Sequence, residues 1–245
     1  MPRTLTAGSF VEARRVLDGL TAGPERRALG WLAPRVPAWI SSDHLTLLGL
    51  ASLAACGALY ALSGNRPWLL LLANVALALN WLGDSLDGTL ARHRRCERPR
   101  FGFYVDHLAD AFGALFVLLG LGCSGLMAPG VAAALLIAYF LLAIETYLAT
   151  YAIGAFKISW GPVGGTELRI LLAVLNVVVA ARPRVAIGAT EWLLFDLVGA
   201  AAAAGLAIVT VVAGVRGTRA LAQAEGWAPA KTLRAAARPS DGSPA

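Results

Sequence analysis

The sequence predicts an all-α fold: an integral membrane bundle of six transmembrane helices, preceded by an N-terminal amphipathic helix lying at the membrane interface. Three observations predict it. Hydrophobic residues make up 58% of the 245-residue chain and charged residues only 15%, where a soluble domain carries about 25% charged. The apolar residues gather into runs of roughly 20, the length of helix that crosses a hydrocarbon core. The arginines and lysines, finally, collect on alternate connections between those runs, as the positive-inside rule requires of a multi-pass chain.

Residues 1–43 are expected to form the interfacial segment. Phe10, Val11, Val16, Leu17, Leu20, Leu29, Trp31, Leu32, Val36, Trp39 and Ile40 are interleaved with Arg14, Arg15, Arg26, Arg27 and Arg35. This suits one or two helices, broken at Gly23-Pro24 and Pro34, with tryptophan in the headgroup layer and arginine facing anionic lipid. No apolar stretch follows the first charges before about residue 44, so a cleavable signal peptide is not expected.

The transmembrane domain is expected over 44–215. A first helix is expected over about 44–63, followed by the turn Gly64-Asn65-Arg66-Pro67. The second starts at Trp68; its apolar part ends near Leu82 and its helical pattern runs on into a polar stretch. A third covers about 103–126, a fourth 131–156 with one carboxylate, Glu145, a fifth 166–180 and a sixth 191–215. Residues 216–245 are basic and rich in Ala, Pro and Ser, and are expected to be a cytoplasmic tail, a frayed helix passing into disorder.

With the N-terminus cytoplasmic, 18 of the 21 lysines and arginines fall on cytoplasmic segments, and only Arg66, Arg182 and Arg184 on the other side. Both termini are therefore expected in the cytoplasm of a cell (inner) membrane protein. The net charge of +6 suits a membrane surface better than a nucleic acid, because the arginines lack interleaved stacking aromatics. Cys56, Cys96 and Cys123 have no metal-ligand spacing, and neither a disulfide nor a zinc site is expected. Trp68, Trp81 and Trp192 read as interface anchors.

The chemistry concentrates in Asn80–Asp110, NWLGDSLDGTLARHRRCERPRFGFYVDHLAD, which holds four aspartates, five arginines and three glycines. Asp84 and Asp87 are three apart, and Asp106 and Asp110 four apart, so each pair shares a helix face. Carboxylates at a membrane boundary are costly and repel one another unless cations lie between them. Hard oxygen donors suit Mg²⁺ or Mn²⁺, and a pair of such ions is the usual clamp for phosphoryl transfer. Gly88 and Ala91 follow Asp84 on its own face and leave that face open for a ligand. Arg92 then offers a planar bidentate donor to phosphate. His107 lies about 100° round the helix from Asp106 and reads as a packing or headgroup contact.

Asp84-x-x-Asp87-Gly88-x-x-Ala91-Arg92, nine residues, then Gly102-x-x-x-Asp106-x-x-x-Asp110 resembles the motif of the CDP-alcohol phosphotransferase family, matching every fixed position with a gap one residue longer than the common eight. The resemblance implies transfer of a substituted phosphoryl group from a CDP-linked alcohol to a second alcohol, releasing CMP, with a lipid as one partner or product. It also implies roles. Asp84, Asp87, Asp106 and Asp110 would be ligands of two Mg²⁺ or Mn²⁺ ions, and Asp110 the general base on the acceptor hydroxyl. Gly88, Ala91, Arg92 and Gly102 would line the nucleotide pocket, joined by Thr46, the one residue kept from the Pro-Asn-x-x-Thr with which the family's first helix often opens. Glu167 and Arg169, at the start of the fifth helix, are candidates for the acceptor pocket. The family resemblance further suggests a homodimer.

The leading expectation is phospholipid synthesis from CDP-diacylglycerol and a small polar alcohol. Members of the resembled family that use glycerol phosphate tend to carry Gly-Lys-x-Lys-Thr near 161–169, and its absence here argues mildly against that acceptor. With the roles reversed, CDP-choline or CDP-ethanolamine would donate to diacylglycerol. A cation or small-solute transporter is the alternative from another class; it would spread its carboxylates along the membrane depth, whereas here they gather at one level. A catalytically dead scaffold would show drift in the motif, and none is present.

Overall fold

The computed structural model describes residues 21–153 and 164–225; the expected helical stretch before residue 21, the Gly161-Pro162 loop and the tail beyond 225 lie outside them. The described chain is helical apart from one hairpin: α1 (Ala22–Leu32), a 3₁₀ turn (Ala33–Arg35), α2 (Ser42–Leu62), α3 (Leu69–His93), α4 (Pro99–Cys123), α5 (Pro129–Ile153), α6 (Gly165–Ala181), β1 (Arg184–Ile187), β2 (Thr190–Leu193) and α7 (Leu194–Ala224).

Five of these helices, α2, α3, α4, α5 and α7, are long and apolar enough to cross a membrane. The sequence led us to expect six. The difference is α6, whose 17 residues reach about 26 Å at 1.5 Å per residue, short of a hydrocarbon core of about 30 Å.

Other boundaries moved for local reasons. Ser41 caps α2, its Oγ accepting from the His44 amide while His44 Nδ1 accepts from the Ser41 amide; the helix therefore starts two residues before His44. Pro99 occupies the first turn of α4, where its missing N–H costs nothing, so α4 begins four residues before Phe103. The stretch 184–193, expected as a loop running into the last helix, is an antiparallel hairpin in which Ile187 pairs with Thr190. Its turn is made by Gly188, at φ 63°, and Ala189. Consequently α7 starts later than expected, at Leu194, and continues to Ala224, nine residues into the segment expected as tail.

The core has two parts. The larger is built from Cys56, Tyr60, Leu70, Ala73, Leu77, Leu121, Ala132, Val179 and Phe195 of α2 to α7, with Met127 of the α4–α5 connection. A polar ladder runs through it: Tyr60 Oη donates to Asn176 Oδ1 at 2.9 Å, Asn176 Nδ2 to Asn74 Oδ1 at 2.7 Å, and Asn74 Nδ2 to the Ala173 carbonyl at 3.1 Å. Such bonds satisfy polar groups that would otherwise be stranded in an apolar interior. The smaller core, Leu29, Ala33, Leu45, Leu86 and Leu90, seats α1 against α2 and α3. Arg94 reinforces it by donating to the carbonyls of Val36, Pro37 and Ile40.

Glycine lets α2 cross its neighbours closely. A Cβ on Gly83 would lie 2.5 Å from the Leu45 carbonyl oxygen, and one on Gly120 would overlap the Gly57 carbonyl. Since the obstacle is backbone, relief requires a helix shift. Gly120→Ala is expected to destabilise by about 1–3 kcal/mol, the cost of overpacking a tight contact, read as a lower midpoint of thermal unfolding in detergent.

Candidate active site

Three helix ends meet around one cleft: the start of α2, the end of α3 and the start of α4. Thr46, Gly49, Leu50 and Leu53 of α2, Asn80 and Asp84 of α3, and Asp106, Ala109 and Asp110 of α4 line it. The close α2–α3 approach at Gly83 sets this geometry, placing Asp84 one residue from the contact. α3 stays helical through the whole aspartate stretch to His93, because its single glycines are spaced and no proline interrupts it.

Asp84 and Asn80, one turn apart, are both held by Arg169 of α6: Nη2 donates to Asp84 Oδ2 at 2.6 Å and Nε to Asn80 Oδ1 at 2.7 Å. Asn80 Nδ2 in turn donates to the Gly49 carbonyl at 3.1 Å. The Arg169 side chain is 19% exposed and that of Asp84 31%, so the pair is shielded enough to define an orientation. Asp87 lies one turn further on, where Oδ2 accepts from Thr46 Oγ1 at 2.7 Å and Oδ1 from the Gly88 amide at 2.5 Å. Thr46 thus links the cleft to Asp87. Asp106 is half-buried with His107 Nδ1 3.9 Å from its Oδ2, whereas Asp110 sits at the exposed side of the cleft.

Not every candidate reaches this cleft. Gly88, Ala91 and Arg92 continue along α3 beyond it, with Arg92 exposed and donating to Thr89 Oγ1 at 3.2 Å. A Cβ on Gly88 would meet only the Arg92 guanidinium, at 3.5 Å, and one on Gly102 nothing within 4 Å. Both glycines therefore border open space rather than a helix contact. Glu167 parts company with Arg169. Its Oε1 accepts from the Thr21 amide at 2.9 Å and from Thr21 Oγ1 at 2.7 Å, and its Oε2 from the Gly164 amide at 2.8 Å. The Thr21 donors, amide first, pull its carboxyl down to about 2, so it stays ionised and bound to α1.

Other expectations are adjusted here too. Trp81, expected as an interface anchor, donates its indole N–H to Glu25 Oε1 at 3.0 Å. Trp68 and Trp192 are exposed, 57% and 48%. His107 donates from Nδ1 to the Phe103 carbonyl at 2.7 Å and packs on the rings of Phe103 and Tyr147. Two residues the sequence left without a role make bonds in or beside the cleft: Asn80, already inside the polar stretch, lines it, and Glu25, which no local pattern marks, accepts from Trp81, Ser85 and Thr166.

Among the described residues, no three His, Cys, Asp or Glu side chains stand together as a ready metal cage. The donors facing the cleft are nonetheless three carboxylates with hydroxyl and amide oxygens beside them, the hard-oxygen set that Mg²⁺ and Mn²⁺ take. The chemistry of the donor set fits a divalent ion.

Comparison with known proteins decides the family. The family model for CDP-alcohol phosphatidyltransferase matches residues 39–234. This chain belongs to that family. It is 30% identical over 96 residues to cholinephosphotransferase 1 of Xenopus laevis and 31% over 99 residues to cholinephosphotransferase 1 of Gallus gallus, each match covering 37% of this chain. The chain matches about a quarter of the length of these relatives, 24% and 29%. Five of its helices have the length and apolar composition of membrane-crossing helices, the pattern of a multi-pass chain.

Proposed function

We propose that the α2–α3–α4 cleft transfers a substituted phosphoryl group from a CDP-linked alcohol to a second alcohol and releases CMP. The observation that carries this is the convergence of Asp84, Asp106 and Asp110 on one cleft, in a chain whose family model spans it. Asp84, Asp87, Asp106 and Asp110 would hold two Mg²⁺ or Mn²⁺ ions, which when bound neutralise the pyrophosphate and the departing CMP. Asp110, at the exposed side, would take the proton from the acceptor hydroxyl as general base. Gly88, Ala91, Arg92 and Gly102 leave the adjoining face open for the nucleotide, with Arg92 as its phosphate contact. Thr46 holds Asp87 in place, and Arg169 brings a guanidinium to the acceptor side.

Two donor readings follow. In the first, CDP-diacylglycerol donates to a small polar alcohol, for which the polar wall of Asn80 and Arg169 provides hydrogen-bonding groups. The partial similarity to two cholinephosphotransferases favours the second, in which CDP-choline or CDP-ethanolamine donates to diacylglycerol. The distribution of basic residues supports a site at the cytoplasmic face of the cell membrane with both termini inside, and α6 completes a sixth crossing if the bilayer thins around it. Family resemblance supports a homodimer.

The test is CMP release by purified protein in vesicles containing Mg²⁺, supplied in parallel with CDP-diacylglycerol plus a panel of alcohols, and with CDP-choline or CDP-ethanolamine plus diacylglycerol. CMP in one arm and its loss with a chelator are expected. Absence of CMP from both arms would sink the reaction assignment, and metal-driven solute uptake by the same vesicles would point to a transporter.

A further inference from the structure

Glu25, in the first turn of α1, joins the two helices that carry the Asp84–Arg169 pair. Its Oε1 accepts from Trp81 Nε1 at 3.0 Å and from Ser85 Oγ at 2.7 Å, both on α3; its Oε2 accepts from Thr166 Oγ1 at 3.0 Å, on α6. Trp81 and Ser85 bracket Asp84 on α3, and Thr166 precedes Arg169 by one helical turn on α6. One turn before Glu25, Thr21 makes a second tie by donating twice to Glu167. The start of α1 therefore grips α3 and α6 at the level where Arg169 meets Asp84 and Asn80.

We propose that Glu25 is a positioning residue for the transfer reaction: it sets α6 against α3 so that Arg169 is aimed at Asp84 and Asn80, and it acts on the substrate only through Arg169. This rests on the reading of the cleft as the site of transfer. Two bonds of 2.6 and 2.7 Å from one guanidinium tolerate little sliding of α6, and a misplacement near 1 Å costs about a hundredfold in a positioned reaction. Truncating Glu25 leaves an indole, a serine and a threonine donor without their shared acceptor. The fold does not depend on it, because Leu29 and Ala33 seat α1 on Leu86 and Leu90 independently. Glutamine keeps the tie: its oxygen accepts from Trp81 and Ser85, and its amide donates to the Thr166 hydroxyl, which can accept as well as donate.

The test uses the full chain in vesicles. Glu25→Ala is expected to lower kcat/KM about tenfold or more, with Glu25→Gln restoring it to near the parent value. In an Arg169→Ala background, Glu25→Ala should cost nothing further, since the two act as one unit. Additive losses, or a glutamine variant as impaired as alanine, would overturn the proposal. Hydrogen exchange of the amides of residues 164–170 reads the same tie without substrate. It should quicken in Glu25→Ala and not in Glu25→Gln; an unchanged rate in Glu25→Ala overturns the proposal on its own. A parent protein that releases no CMP defeats the reaction assignment, while the exchange measurement still decides the tie.

Discussion

Replacing Asp110 by asparagine is expected to lower turnover by about 10²–10⁴-fold, the share a positioned general base supplies, while CDP-donor affinity stays close to that of the parent. Asparagine has the same shape but cannot take up a proton at neutral pH. Asp110 lies at the exposed side of the cleft one turn after Asp106, so the substitution disturbs no buried packing. Single-turnover CMP release measures the first quantity and equilibrium binding of a labelled CDP-alcohol the second. Loss of both in equal measure would remove the assignment of Asp110 as base.

The contrasting expectation concerns Asp87. Its carboxylate is oriented by Thr46 Oγ1 and the Gly88 amide, as outer partners orient a ligand. Asp87→Asn should weaken the apparent Mg²⁺ affinity by about 10–100-fold, seen as a rightward shift of the Mg²⁺ dependence of CMP release and confirmed by calorimetric titration of the metal alone. Saturating Mg²⁺ should then recover part of the activity of Asp87→Asn and none of that of Asp110→Asn. If Mg²⁺ rescues both alike, the two residues share a role and the division fails.

Much of this molecule was legible along the chain. Apolar runs bounded by Gly64-Asn65-Arg66-Pro67 and Met127-Ala128-Pro129-Gly130 located the ends of α2 and α4 to within a few residues, because a run of apolar residues needs no tertiary partner to be recognised. The hairpin at 184–193 was harder. Val185 to Leu193 is apolar enough to read as loop running into helix, and its marker was the Gly188-Ala189 pair, the Gly-X loop of a tight hairpin. Pro99 likewise signalled the true start of α4, but the apolar pattern beginning at Phe103 outweighed it.

The site divides in the same way. Spacing alone puts Asp84 with Asp87, and Asp106 with Asp110, on shared faces, because a helix repeats every 3.6 residues whatever surrounds it. The grip of Glu25 on Thr166, 141 residues away, leaves no periodic trace. The turning of Glu167 toward Thr21 and of Arg169 toward Asp84 is equally invisible, since two residues apart on one helix they face different neighbours, and only the packing of α1 and α3 says which.

By itself, then, the sequence determined the membrane class, the carboxylate motif and the family, all of which rest on local period, composition and spacing. Tertiary structure alone decided that α6 is short and lies against α3, that Arg169 and not Glu167 bonds the cleft residues Asp84 and Asn80, and that α1 is tied to both α3 and α6. Those outcomes depend on contacts between helices distant in sequence, set by where Gly83 and Gly120 allow backbones to touch and where a partly buried carboxylate finds its donors.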